Sequence, residues 1–244
     1  MKRILLLLVV FILFPSVLLA ADSLLVFAGA GMRLPLDVIG KKFEEKYHVQ
    51  VIYDYEGSGR LGNKILAGQT PDVYIPGSER WAKILKKKDY VKDYFPIAYH
   101  IPVIVTPLNN EKVKSLKDFL RHDVTLVLGD PKACAIGKVS QKIFKKAGLR
   151  EDKMNIVARG VTVKQLVHWI EGNNADASIV WHADAVQSGK VRIVEIPKEV
   201  NAIALIPICT MTKTSHPEIA KKYVDFVLKE GKKIFADFGF KVAE

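Results

Sequence analysis

The sequence predicts an α/β protein made of two lobes, and three observations lead to that prediction. Short runs rich in β-branched and aromatic residues alternate with runs of helical period, a pattern typical of parallel strands joined by crossover helices. Two longer apolar runs, at residues 99–106 and 202–211, are long enough to pass from one lobe to the other. The 244 residues are 49% hydrophobic and 26% charged, which excludes collagen, coiled coil and a wholly disordered chain.

Three strand–loop–helix units in succession build the first lobe. The predicted strands span residues 24–28, 49–55 and 73–75. Small or turn-forming residues follow them, namely Gly29-Ala30-Gly31, Gly57-Ser58-Gly59 and Pro76-Gly77. Apolar residues then recur every three or four positions, as on the buried face of an amphipathic helix. The sheet of this lobe is therefore expected to be mainly parallel.

The second lobe continues the alternation. Strands are expected at residues 125–128, 156–158, 177–181 and 191–196, with helices between them that end near Gly148 and Gly172. Ser115 and Asp118 have the spacing of a capping box, and residues 217–238 predict two C-terminal helices. The predicted division is residues 22–98 plus 207–244 for lobe I and residues 99–206 for lobe II, including the crossovers. A ligand is expected in the cleft between them.

The first 21 residues have the layout of a secretory signal peptide. Lys2 and Arg3 precede an apolar run from Ile4 to Phe14, and Ala20-Ala21 closes the segment. The mature protein is expected in the periplasm or outside the cell, with an uncleaved membrane anchor as the alternative. In an oxidising compartment Cys134 and Cys209 are free to form a disulfide, and the sequence leaves open that bridge or two buried thiols.

The net charge favours an acidic ligand but not nucleic acid. Without Lys2 and Arg3 the formal charge falls from +11 to +9, which still attracts anions over a distance. The lysines are scattered over predicted helix faces without the interleaved aromatic residues that stack bases. No nucleic-acid partner is therefore expected.

Four loops have the character of an anion site. Each leads into a helix start and presents small residues with free backbone N–H groups, at residues 28–32, 57–60, 132–137 and 160–163. A helix N-terminus carries a partial positive charge and unpaired donors, so several such loops around one cleft would bind an anion without a charged side chain. The alternative is that the glycines serve only turns and packing.

These loops and their neighbours resemble the periplasmic molybdate/tungstate-binding proteins of ABC transporters, within the wider two-lobed solute-binding proteins. The resemblance covers nearly the whole mature chain. Its carriers are Ala28-Gly29-Ala30-Gly31 after the first strand, Tyr55-Glu56-Gly57-Ser58-Gly59, Pro71-Asp72-Val73-Tyr74-Ile75, the Asp130-Pro131 loop, and Ala175-Asp176-Ala177-Ser178-Ile179-Val180-Trp181.

The resemblance implies the periplasmic-binding-protein fold and a tetrahedral oxyanion held between the lobes by two serine hydroxyls, backbone N–H groups and a tyrosine hydroxyl. Two positions depart from that pattern: the first serine is replaced in Ala30-Gly31, and Trp181 stands at the tyrosine position. Arg33 or Arg60 could supply the missing donors. The implied ligand-binding residues are Ala30, Gly31, Ser58, Gly59, Ala135, Val161, Thr162 and Trp181.

The function that follows is that of a monomeric binding protein. It would capture molybdate or tungstate and deliver it to an ABC permease in the membrane, with no cofactor and no bare metal ion. It would not be an enzyme. The sequence does not rank tungstate against molybdate.

Two other interpretations stay open. The ligand could be sulfate, phosphate or thiosulfate, or it could be ferric iron or another metal bound by Tyr53, Tyr55, Tyr74 or His182. The chain could instead be an exported thiol enzyme using Cys134 with His100, His168 or His182 as base. No hydrolase, phosphate-loop or metalloprotease motif supports the enzyme.

Overall fold

The computed structural model describes residues 23–244. The predicted signal peptide at residues 1–21 lies outside that range. Between Ser23 and Glu244 the longest apolar helices fall short of what is needed to cross a membrane.

Eleven strands and eight helices lie in the described range, in an order that follows the predicted alternation. The strands are β1 (Ser23–Gly29), β2 (Gln50–Glu56), β3 (Val73–Ile75), β4 (Val91–His100), β5 (Pro102–Pro107), β6 (Leu126–Gly129), β7 (Ile156–Gly160), β8 (Ser178–Trp181), β9 (Val191–Glu195), β10 (Ala204–Met211) and β11 (Lys241–Val242). The helices are α1 (Arg33–Tyr47), α2 (Ser58–Leu66), α3 (Glu79–Lys86), α4 (Ala135–Ala147), α5 (Val163–Glu171), α6 (His182–Ser188), α7 (Pro217–Phe226) and α8 (Lys232–Asp237).

The first lobe is organised around a six-stranded sheet in the order β11-β4-β10-β3-β1-β2. Strands β1, β2 and β3 are parallel to one another, whereas β4, β10 and β11 join by antiparallel pairing. Because parallel strands end at the same edge of a sheet, the loops after Gly29, Glu56 and Ile75 lie side by side. This edge carries the first half of the candidate site.

Helices cover both faces of this sheet, and the alternation of side chains along each strand explains why. In β1, Val26 packs into the core under α1, α7 and α8, while the next residue, Phe27, packs into the core under α2 and α3. Tyr74 of β3 lies in the second of these cores and is fully buried.

The second lobe has its own core. Strand β5 pairs antiparallel with β8 and β9, and β6 pairs parallel with β7. A parallel bridge from Leu126 to Ala177 connects β6 to the start of β8. Strands β7, β6 and β8 therefore end at a common edge, where Gly160, Gly129 and Trp181 lead into α5, α4 and α6.

The predicted crossover strand at residues 99–106 is two strands. His100 pairs with Ala204 in the first sheet, and Pro102 pairs with Trp181 in the second. Between them, the Ile101 carbonyl accepts a hydrogen bond from the His182 N–H at 2.8 Å. The chain thus changes sheets over one residue.

The return crossing also differs from the prediction. Strand β10 belongs wholly to the first sheet, so the chain crosses back over residues 196–203, before the strand begins. The division of the chain into lobes at 98/99 and 206/207 stays a prediction. Because the connecting strands pair antiparallel with their neighbours, the six-stranded sheet of the first lobe is mixed. In the second lobe the sheet β8-β5-β9 is antiparallel and the pair β6-β7 is parallel.

The two cysteines are buried free thiols in different cores. Cys134 belongs to the core of the second lobe, and Cys209 lies under α2 and α3 in the first. The sequence left open a disulfide or two buried thiols, and the structure has two buried thiols.

Candidate ligand-binding cleft

Hydrogen bonds fix both the backbone and the side chain of Ser58. The buried Tyr74 hydroxyl donates to the Ser58 carbonyl at 2.8 Å, and the Gly77 N–H donates to the Ser58 Oγ at 2.8 Å. The Ser58 side chain therefore accepts a hydrogen bond from the protein, and its own proton remains available as a donor. This orientation suits an anion near the start of α2.

The turn after β1 lies next to Ser58. A Cβ built on Gly29 would lie 3.6 Å from the Ser58 Oγ and 3.3 Å from the Gly77 nitrogen. Ala30 and Gly31 continue from it as an exposed 3₁₀ turn before α1. The structure thus brings the predicted residues Ala30, Gly31 and Ser58 to one place.

Gly59 is close to the same place, but packing also explains it. A Cβ on Gly59 would approach the Trp81 indole nitrogen to 3.4 Å, and one on Gly62 would lie 2.3 Å from the Trp81 ring. The small residues of α2 therefore let Trp81 of α3 pack closely against it.

His100 contacts residues of both lobes. Its Nδ1 lies 3.1 Å from the Gly77 carbonyl oxygen, and its ring stacks on Trp181 with centroids 4.9 Å apart and planes at 25°. Sequence reasoning considered His100 only as the base of a hypothetical enzyme and did not include Gly77 in the site. The signal that was available is a histidine at the exact crossover between two apolar strands.

The His100 imidazole is neutral at ordinary pH. Burial lowers its pKa to about 4, against the smaller opposing effect of the hydrogen bond to the Gly77 carbonyl. Because a carbonyl only accepts, the proton of the neutral ring is on Nδ1, and Nε2 is left with a lone pair.

The remaining predicted residues lie at the edge of the second sheet. Ala135 is exposed and begins α4, where the first backbone N–H groups have no intrahelical partner. The adjacent Thr162 is the N-cap of α5, and its Oγ1 accepts from the Gln165 N–H at 3.2 Å. The Val161 N–H donates to the Gln165 Oε1 at 3.0 Å, so in this structure that donor is already paired.

Of the predicted residues at the edge of the second sheet, only Trp181 is connected by contacts to the Ser58 side of the site. Trp181 ends β8 beside these loops and contacts His100, which contacts Gly77 and hence Ser58. Within residues 23–244, no hydrogen bond joins Ala135, Val161 or Thr162 to the Ser58 group.

The charged side chains near Ser58 have partners other than its hydroxyl. Arg33 lies 4.3 Å over the Tyr55 ring, and Arg60 approaches the Glu56 carboxylate at 3.6 Å. Lys64 binds the same Glu56 at 2.9 Å. Neither arginine is placed by the structure against the Ser58 hydroxyl.

The thiol of Cys134 lacks the environment of a nucleophile. It is buried at the start of α4, and burial raises its pKa despite hydrogen bonds from the Ile136 and Gly137 backbone. A reactive cysteine needs a lowered pKa and access to substrate. The geometry therefore gives no support to the thiol enzyme.

The tyrosines proposed for iron are used elsewhere. Tyr53 donates to the Leu36 carbonyl and pairs with Tyr223, Tyr55 donates to Asp37, and burial raises the pKa of both phenols. Over residues 23–244 no cluster of three or more histidine, cysteine or carboxylate side chains is suited to a metal ion.

Helix starts and a fixed hydroxyl facing a cleft between two α/β lobes define a binding protein for a small solute. The chain belongs to the bacterial extracellular solute-binding protein family, whose model matches residues 24–241. The protein is accordingly a solute-binding component of transport and not an enzyme.

Relatives by sequence cover most of the chain. A putative binding protein of Haemophilus influenzae is 28% identical over 226 residues, 90% of this chain and 91% of the relative. The molybdate-binding protein ModA of Mycobacterium tuberculosis H37Rv is 25% identical, over 90% of this chain and 85% of its own. The predicted resemblance to the molybdate-binding group is thereby confirmed.

Solved structures confirm the two-lobed fold. The substrate-binding domain of a putative molybdenum ABC transporter from Clostridium difficile has a TM-score of 0.80, 23% identity and coverage of 91% of this chain and 100% of its own. The sulfate-binding protein SubI of Mycobacterium tuberculosis H37Rv has a TM-score of 0.71 at 18% identity, over 91% of this chain and 88% of its own. The fold therefore occurs in proteins that are named for different solutes.

Proposed function

We propose that the protein is an extracytoplasmic binding protein that captures a tetrahedral oxyanion, molybdate or tungstate, and delivers it to an ABC permease. The relatives named as molybdate-binding proteins support the ligand class. The observation that carries the proposal is Ser58, whose hydroxyl accepts from the Gly77 N–H and has its proton free for an anion at the start of α2.

The proposed site uses donors from both lobes. The N–H groups at Ala30-Gly31 and Ser58-Gly59 would bind from the first lobe, and those at Ala135 and Thr162, with the Trp181 indole, from the second. Charge-assisted hydrogen bonds contribute roughly 1.5–3 kcal/mol each, so five to seven of them are enough for micromolar or tighter binding after association costs. Val161 would join only if the Gln165 side chain released its N–H.

Binding from two lobes implies closure of the cleft on the ligand. The monomer would then present the permease with a different surface when loaded, which is how occupancy is signalled in hinge-closing proteins. The segments that would bend are Ile101 and residues 196–203, where the chain changes sheets.

A thermal-unfolding panel on the mature chain tests the ligand. A ligand bound only by the folded state raises stability by about 4 kcal/mol at a thousandfold excess over its Kd. We expect a large shift with molybdate or tungstate and little with sulfate, phosphate, thiosulfate or ferric citrate. A shift with one of these other solutes alone would overturn the ligand and leave the family assignment intact.

Ser58→Ala tests the site in the same panel. Loss of one hydrogen bond to a charged ligand is expected to weaken affinity roughly 10- to 100-fold. Ser115→Ala is the matched control, because Ser115 donates its hydroxyl to Asp118 in a capping box outside the cleft loops. It should lower the unfolding temperature without changing affinity.

A further inference from the structure

Three contacts fix the position of the His100 ring. Its Nδ1 is held by the Gly77 carbonyl at 3.1 Å, its face lies on Trp181, and it packs tilted by 38° against Phe240 with centroids 5.7 Å apart. These three contacts come from three separate parts of the chain. They leave Nε2 as the one polar atom of the ring without a partner in the described residues.

Nε2 faces the turn that lacks a side-chain donor. A Cβ built on Gly31 would lie 4.0 Å from Nε2, and that nitrogen is the nearest atom it would meet. Position 31 therefore lies at van der Waals distance from Nε2. His100 also contacts Gly77, whose N–H is bonded to the Ser58 hydroxyl.

The groups around the imidazole are uncharged. They are Gly31, Gly77, Trp181 and Phe240, together with the paired strand residue Ala204.

The charged or titratable residues that neighbour these contacts in the chain either bind groups other than His100 or are exposed to solvent. Arg33 lies on Tyr55, Glu79 pairs with Lys83, His182 binds the Gly239 carbonyl, and Lys241 is exposed. No charged group acts on the pKa of His100.

We propose that His100 contacts the bound oxyanion through Nε2, and that binding of a fully deprotonated anion is coupled to the uptake of one proton at this atom. This inference rests on the proposed function. A lone pair at Nε2 would repel an anion, whereas an Nε2–H would donate to it. The proton comes from solvent and is released when the anion leaves.

The coupling predicts how affinity depends on pH. The free protein has a neutral His100 above its lowered pKa. If the bound dianion raises the pKa of His100 above 8, each binding event takes up one proton between pH 6 and pH 8. Affinity for tungstate should therefore rise by about tenfold for each unit by which the pH falls, the slope expected for one linked proton. Calorimetry in buffers of different ionisation enthalpy should detect close to one proton taken up for each anion bound.

A rescue pair separates a ligand contact from a merely structural role. His100→Asn keeps an amide that can donate to the Gly77 carbonyl but removes Nε2, so tungstate affinity should fall and the pH slope should flatten. Adding Gly31→Ser to this variant places a hydroxyl beside the position that Nε2 held. The double variant should regain affinity at pH 7 while remaining independent of pH.

The outcomes are distinguishable. If wild-type protein binds no oxyanion of the panel, the proposed function fails. If it binds tungstate with an affinity that is independent of pH, or if His100→Asn keeps the wild-type slope, His100 does not carry the linked proton. His100→Phe keeps a ring to stack on Trp181 but gives up the bond to the Gly77 carbonyl, so it should lose the slope and also some stability.

Discussion

At the residue scale, close approach of the main chain explains several glycines of the site loops. Gly137 in the first turn of α4 is the clearest case, because a Cβ there would lie 2.4 Å from the Gly129 carbonyl oxygen and 2.7 Å from the Asp130 carbonyl carbon. The contact sets α4 directly on the end of β6. It therefore positions Ala135 at the edge of the cleft.

Gly137→Ala should be strongly destabilising. The clash is with backbone atoms that cannot rotate away, so we expect a loss of about 3 kcal/mol or more in the free energy of unfolding, measured by urea denaturation. Gly57→Ala is the matched control, since a Cβ at Gly57 meets nothing within 4 Å and its φ is −66°. That variant should unfold within about 0.5 kcal/mol of the wild type. Equal effects of the two would contradict the packing argument.

At the element scale, Asp176 connects the strands of the second lobe. Its Oδ2 accepts from the Thr125 N–H at 2.8 Å and from the Thr125 hydroxyl at 2.9 Å, and its Oδ1 accepts from the Asn110 amide at 2.6 Å. These bonds hold the start of β6 beside the segment that enters β8. The aspartate in the motif that carried the family resemblance is therefore a structural residue in this chain.

Asp176→Ala should lower stability by about 2–4 kcal/mol, because the Thr125 N–H and the Asn110 amide lose their acceptor. Burial alone would raise the pKa of the Asp176 carboxyl, but the hydrogen bonds from Thr125 lower it below its ordinary value. The stability that the ionised Asp176 carboxylate contributes is fully present above the ordinary carboxyl pKa, and it is lost as the pH falls through the lowered pKa of the folded protein.

Urea denaturation at pH 7 and pH 3 should therefore show a smaller difference in unfolding free energy between wild type and Asp176→Ala at the lower pH. A difference that does not change with pH would contradict this role.

At the scale of the whole molecule, net charge should affect how fast the ligand arrives. The mature chain would carry about +9 instead of the +11 of the full sequence, and this field attracts a dianion at distances that salt shortens.

The rate of tungstate association should fall several-fold as ionic strength rises from roughly 0.01 to 0.15 M, where the Debye length shrinks from about 30 to 8 Å. Stopped-flow tryptophan fluorescence, with Trp181 as the reporter and Trp181→Phe as its control, measures this rate. The dissociation rate should change little, because contacts inside the closed cleft are screened less. An association rate independent of salt would exclude steering.

The sequence by itself determined the order of the elements and the family of the protein. Apolar period, turn residues and caps act over a few neighbouring positions, so signals such as Ser115 with Asp118, or Gly148 ending α4, could be interpreted without the fold. The loops at Gly31, Ser58, Ala135 and Thr162 were found for the same reason, since each is a local strand-to-helix junction.

Only the tertiary structure decided what those loops meet. The Ser58 hydroxyl reaches Gly77, His100 reaches Gly77 and Trp181, and the two cysteines lie in different cores, all through contacts between residues distant in the chain. Such contacts depend on strand order and on the one-residue crossing at Ile101. A local pattern stays the same whichever strand becomes a neighbour in the sheet. The sequence could therefore predict each strand-to-helix junction, but only the packing of the two lobes places His100 between the junctions of one lobe and those of the other.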